Sequence, residues 1–179
     1  MPRAGARPLP LTVSRKALLV GGSDDAFRDT VNALVRLAAK LQQAREGLAA
    51  MMGVTAPQYN IVMHLARLAP AQGTRLGALA EALGVSLSFI VAETRRLRVK
   101  RLISVRRDPN DGRAMVASLA PAGLRTLRAA APSMRRLNDR LFAALSRQDL
   151  LELGRLAAAV HAGSGEALAI LDRGRRIVK

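Results

Sequence analysis

Between Ser86 and Arg113 the chain carries eight basic residues (Arg95, Arg96, Arg98, Lys100, Arg101, Arg106, Arg107 and Arg113) against three acids, Glu93, Asp108 and Asp111. Cations at this density neutralise phosphates and release counterions, which is the sequence-independent part of nucleic-acid affinity. The stretch ends in Asp108-Pro109-Asn110-Asp111-Gly112-Arg113, dense turn chemistry followed by a guanidinium. An arginine on a hairpin tip can enter a narrow minor groove, where negative potential is focused. Asp111 is placed either to hold the Arg113 side chain or to cap the turn, and Arg106 and Arg107 sit on the approach, suited to phosphates. Upstream, Ser86, Ser88, Phe89, Val91, Ala92, Arg95 and Arg96 offer small polar groups, apolar groups for thymine methyls, and further cations. The expected contacts are therefore Ser86 to Arg96 from one helix and Arg106, Arg107, Asp111 and Arg113 from the hairpin.

Catalytic chemistry finds no such support. There is no glycine-rich phosphate loop, nucleophile elbow or paired-carboxylate spacing, so no catalytic residue is expected. Absence of cysteine excludes disulfides and thiolate metal sites, and His64 and His161 lack ligand spacing. No metal or cofactor is expected.

The elements that must position these residues can be read from periodicity and caps. Residues 1–22 hold Arg3, Arg7, Arg15 and Lys16 with no acid, a basic arm expected to be only partly ordered. Ser23-Asp24-Asp25 starts a long amphipathic helix through 23–53, with Phe27, Val31, Leu34, Val35, Ala38, Leu41 and Leu48 in its stripe. Thr55-Ala56-Pro57-Gln58 is a capping box opening a second helix. Pro70 to Gly73 break the chain, and Thr74 is read as the N-cap of a short third helix ending at Gly84. Ser86 caps a fourth helix to Arg101, which turns Ile90, Thr94 and Leu97 inward. Leu102 to Arg107 and Ala114 to Leu119 form a two-stranded hairpin. Two short helices across Gly84-Val85-Ser86, then a hairpin with a basic tip, is the order of a winged helix-turn-helix, placed at 54–120. Helices over 121–171 follow, one from Pro121, one capped by Ser146-Arg147-Gln148-Asp149, and a short one from Glu166 to Leu171. Residues 172–179 form a basic tail.

Composition agrees. Three Phe, one Tyr and no Trp in 179 residues suit helix packing, so the fold class is mainly α. A formal charge of +16 favours a polyanionic partner. No apolar run is long enough to span a bilayer, and bulky aromatic anchors for a membrane surface are missing. A cytoplasmic, nucleoid-associated protein without membrane contact is expected.

The runs Thr55 to Tyr59, Leu79 to Ser86, Leu97, Asp108 to Arg113 and Pro121-Ala122-Gly123 resemble the MarR family of bacterial transcriptional regulators over roughly residues 23–160. The most specific element is the acidic-x-arginine tip, Asp111-Gly112-Arg113. The resemblance implies an obligate homodimer formed by the first and last helices, with two winged domains on a near-palindromic site. It also implies release from double-stranded DNA by a small aromatic or phenolic ligand. Arg45, Met52, Tyr59 and His64 stand where such a pocket is bordered, although methionines at this spacing are more often core filling, and a structural His64 and a surface Arg45 are the commoner roles. Three departures are visible: Gly112 replaces a usual second arginine, Arg101 a usual glycine, and Ala120 a capping threonine whose loss costs about 1 kcal/mol. The expected function is a sequence-specific repressor relieved by an effector. The alternative is an effector-independent architectural or general nucleic-acid binder.

Overall fold

The computed structural model describes residues 10–67 and 73–177, so Arg3, Arg7 and the Pro70 break lie outside the described residues. Seven α-helices are described: α1 (Asp25–Met51), α2 (Ala56–Arg67), α3 (Leu76–Leu83), α4 (Leu87–Val99), α5 (Pro121–Leu141), α6 (Arg147–Ala162) and α7 (Ser164–Ile177). Three short strands, β1 (Thr74–Arg75), β2 (Ile103–Arg107) and β3 (Met115–Leu119), form an antiparallel sheet of order β1-β3-β2. Two compact units divide after Met134, within α5.

The first unit buries Ile90, Thr94 and Leu97 as their spacing predicts, but of the α1 stripe only Leu48 is buried. Ile90 and Leu97 of α4 are fully enclosed together with Ile61 and Val62 of α2 and Leu79 of α3. α2 packs on α1, α3, α4 and β3, which makes it the central helix of this unit. The hairpin keeps a continuous register from Ile103 opposite Leu119 to Arg107 opposite Met115.

A third strand joins the expected two-stranded wing at its base. Thr74 is not a helix cap; it pairs with Ala117, and Arg75 with Val116. Arg75 is the residue that precedes α3, with no side-chain cap bond. The backbone bonds available from β3 outweigh what a single capping hydroxyl offers. Gly123 shows how closely the sheet end meets α5: a Cβ there would lie 2.1 Å from the Leu102 carbonyl oxygen. Only glycine allows that approach.

At its start, α1 is tied to the preceding segment rather than opening freely. Asp24, not Ser23, occupies the N-cap position. Its buried carboxylate accepts from the Thr12 amide and hydroxyl, both at 2.6 Å, and from Arg28 Nε at 3.0 Å. Arg28 Nη2 also donates to the Pro10 carbonyl at 2.6 Å. The described part of the basic arm is therefore docked onto α1.

The second unit is helical. Ser146 and Asp149 form the anticipated reciprocal capping box at the start of α6. The final helix is longer than the Glu166 to Leu171 segment expected, running to Ile177 through most of the presumed tail. Gly163 has a helical backbone (φ −82°, ψ −9°), so it separates α6 from α7 without supplying a left-handed stop. Leu151 and Val160 of α6, and Leu168, Ile170 and Leu171 of α7, are at least 60% exposed, a wide apolar surface for one chain. Among the described residues no single helix is long and apolar enough to cross a membrane.

Candidate nucleic-acid interface

α4 begins where the backbone is still extended at Ser86, whose Oγ accepts the Phe89 amide at 3.2 Å. Gly84, at φ +65°, makes the left-handed turn that ends α3 and lets α4 start three residues later. The two helices lie 110° apart. Ile90, Thr94 and Leu97 anchor α4 inward as the spacing predicts, with the Thr94 hydroxyl bonded back to the Ile90 carbonyl at 2.7 Å. Ser88, Phe89, Val91, Ala92, Arg95 and Arg96 are exposed. Ser86 is partly committed to capping, and its Oγ also lies 3.0 Å from that of Ser88.

One buried residue of α4 was not anticipated. Glu93 is only 5% exposed; it accepts from Gln58 Nε2 at 2.8 Å and pairs with Arg96. Its spacing from Ile90 and Leu97 puts it on the inner face, but a glutamate by residue type reads as solvated. The Gln58 donor that permits its burial comes from another helix.

The hairpin tip is ordered by two carboxylates with different roles. Asp111 accepts the Arg113 backbone N–H at 3.1 Å, which decides between its two expected functions: it caps the turn. Asp108, 7% exposed, accepts the Asn110 amide at 2.9 Å and Arg75 Nε at 2.6 Å. The Asn110 amide, and after it the Arg75 guanidinium, hold the Asp108 carboxyl below the ordinary carboxylate range despite burial. Arg75 Nη1 also stands 3.8 Å from Asp111 Oδ2. Arg106, Arg107 and Arg113 are exposed along the hairpin. Arg75 and Asp108 were missed as site residues because their partnership depends on β1, a strand of two residues.

The residues expected to border a ligand pocket diverge. Met52 and Tyr59 are buried core residues, His64 is half-buried and Arg45 is exposed. Burial pushes the Tyr59 hydroxyl above its ordinary pKa, while the field of Arg45 opposes that rise, so the two side chains are electrostatic neighbours. Among the described residues no cluster of three or more His, Cys, Asp or Glu side chains is arranged to hold a metal ion.

Residues 52–114 match the family model described as MarR family. AbsC, a MarR family transcriptional regulator from Streptomyces coelicolor, superposes with a TM-score of 0.68 at 24% identity, over 78% of this chain and 96% of that one. Sco3205, a MarR family regulator from the same organism solved in complex with DNA, gives 0.68 at 20% identity, over 76% and 89%. The PcaV transcriptional regulator from Streptomyces coelicolor, solved with its natural ligand, gives 0.57 at 29% identity, over 72% and 91%. No curated protein sequence matches the chain.

Proposed function

We propose that this chain, whose residues 52–114 match the MarR family model and whose fold is shared with AbsC, is a MarR family DNA-binding transcriptional regulator that represses from a near-palindromic operator as a homodimer. The observation that carries this reading is α4. Its N-terminal turns are capped by Ser86, its inner face is locked by Ile90 and Leu97, and its outer face leaves Ser88, Phe89, Ala92 and Arg95 open. A helix held this rigidly and left polar and basic on the outside can read base edges in a major groove. β2 packs against α4 and carries Arg106 and Arg107 towards the hairpin tip, where Arg113 is free to enter a minor groove. Sco3205, whose fold this chain shares, was solved on DNA.

Homodimerisation is supported by apolar side chains that one chain leaves exposed: Val31, Leu34 and Val35 on α1 and Leu151 and Val160 on α6. Two copies of a small reader gain specificity by binding half-sites about one DNA turn apart. A cytoplasmic, nucleoid-associated location follows from the same reading. Release by a small aromatic or phenolic ligand is proposed at Arg45, Met52, Tyr59 and His64, where a cation neighbours a phenol. PcaV was solved with a ligand, which makes this class of regulation the one to test first.

The deciding experiment is a footprint on the promoter of the protein's own gene at physiological salt. Protection of a discrete inverted repeat is expected. Uniform coverage, with equal affinity for random duplex, would replace the regulator with a general nucleic-acid binder. A thermal-shift screen of small aromatic acids, followed by DNA-release assays on any hit, tests the ligand.

A further inference from the structure

Glu93 is an acid in the helix offered to a polyanion, between Ala92 and the cations Arg95, Arg96 and Arg98. A buried carboxylate is costly unless its oxygens are satisfied. Here both are used. Oε2 accepts from Gln58 Nε2 at 2.8 Å, and Oε1 accepts from Arg96 Nη1. Gln58 is itself oriented, because its Oε1 accepts the Thr55 amide at 3.3 Å while Thr55 Oγ1 accepts the Gln58 amide at 3.4 Å. The capping box at the start of α2 thus does more than begin a helix, since it turns the free amide nitrogen of Gln58 towards α4. A glutamate, the usual alternative in such a box, would set two carboxylates against each other.

The relay ends on Arg96, whose side chain stays 64% exposed although its guanidinium is held by Glu93. A second tie joins the same two regions, with Lys100 Nζ donating to the Gly53 carbonyl at 2.5 Å. α4 is therefore linked at its middle and its end to the α1–α2 junction.

We infer that Glu93, oriented by Gln58, is a positioning residue for DNA discrimination. It holds the Arg96 guanidinium at one place on α4, so that Arg96 serves a defined contact instead of following any nearby phosphate. A fixed planar fork recognises geometry; a free cation recognises charge alone. This inference rests on the DNA-binding reading above.

The test compares the full chain with Glu93→Gln, Arg96→Gln, Arg96→Lys and the Glu93→Gln/Arg96→Gln pair. Each is titrated on the protein's own promoter duplex and on a scrambled duplex of equal length, with melting temperatures in parallel. Glu93→Gln is expected to tighten binding to the scrambled duplex and to lower the promoter-to-scrambled ratio by about fivefold or more. Arg96→Lys keeps the charge, so it should lower the ratio while leaving scrambled binding unchanged. Because Arg96 is exposed, this variant reports even if Glu93→Gln does not fold. The pair should fall no further than Arg96→Gln alone, since Glu93 acts through Arg96. An unchanged ratio in Arg96→Lys, or effects of Glu93→Gln and Arg96→Gln that simply add, overturns the inference and leaves the regulator reading standing. A wild-type chain with no preference for the promoter overturns that reading, and the inference with it.

Discussion

Arg75 Nε donates to Asp108 Oδ2 at 2.6 Å, joining residues 33 apart and fastening β1 to the root of the hairpin. Asp108 is therefore the anchor of the tip, while Asp111, 44% exposed at its side chain, shapes the turn above it. Asp108→Ala should release the tip, raising hydrogen exchange at the Asn110 and Ala114 amides by about tenfold or more and weakening DNA binding. Asp111→Ala should have the smaller effect on both. Equal effects would mean that the Arg75 link holds nothing in place.

Arg113 carries the exposed cation nearest the end of the hairpin. Arg113→Ala is expected to cost roughly 1–3 kcal/mol of binding to the specific site. Melting temperature should not move, because only its backbone N–H takes part in the turn. Unchanged affinity would show that the wing is not a reader.

Asp24 sets an acid limit on the docked N-terminal segment. Hydrogen bonds from Arg28, then from Thr12, hold its carboxyl well below its ordinary value of 3.8. A folded-state pKa below the unfolded one gives stability that is full above 3.8 and is lost progressively as pH falls from there towards the folded value. Asp24→Asn should be less stable than wild type at neutral pH, and the gap should narrow below pH 3.8. Denaturant melts at a series of pH values would test this; a gap that does not change with pH would exclude the carboxylate as its source.

Gly123 and Gly112 form a matched pair for the packing argument. A Cβ on Gly123 meets the Leu102 carbonyl oxygen at 2.1 Å and Leu119 Cδ1 at 2.8 Å, whereas one on Gly112 meets nothing within 4 Å. Gly123→Ala should destabilise by about 1–3 kcal/mol through overpacking. Gly112→Ala should stay within about 0.5 kcal/mol, as surface changes do. Chemical denaturation of both variants reads the difference directly.

Arg101 is the one non-glycine with positive φ among the described residues, at 59°. A side chain there crowds the backbone, at a cost of about 1–2 kcal/mol. Arg101→Gly should therefore raise stability by about 1 kcal/mol, partly offset by the freedom glycine regains in the unfolded chain. A destabilised variant would show that the arginine makes a contact worth more than the strain.

Much of the fold was legible in the chain because the signals are local. Ser86 bonds the amide three residues on, Thr55 and Gln58 cap each other, and Ser146 and Asp149 do the same. Ile90, Thr94 and Leu97 are buried where helical spacing puts them. Such contacts lie within one turn, so residue type and spacing are enough to find them. The exposed residues of α4 and the basic hairpin were legible for the same reason.

What was not legible crosses long stretches of chain. β1 has two residues, too few for a period of two to register, and its hydrogen bonds are supplied by β3. The burial of Tyr59 and Met52 was not legible either, because residue type does not say how far a side chain is enclosed; the packing of α1 on α2 decides it. Glu93 reads in sequence as a solvated acid and becomes a buried acceptor only when Gln58, 35 residues away, supplies the donor. The hairpin shows both sides. Its turn and its cations were written in Asp108 to Arg113, whereas the role of Asp108 was decided by Arg75, because a charge can be buried only where folding delivers its partner.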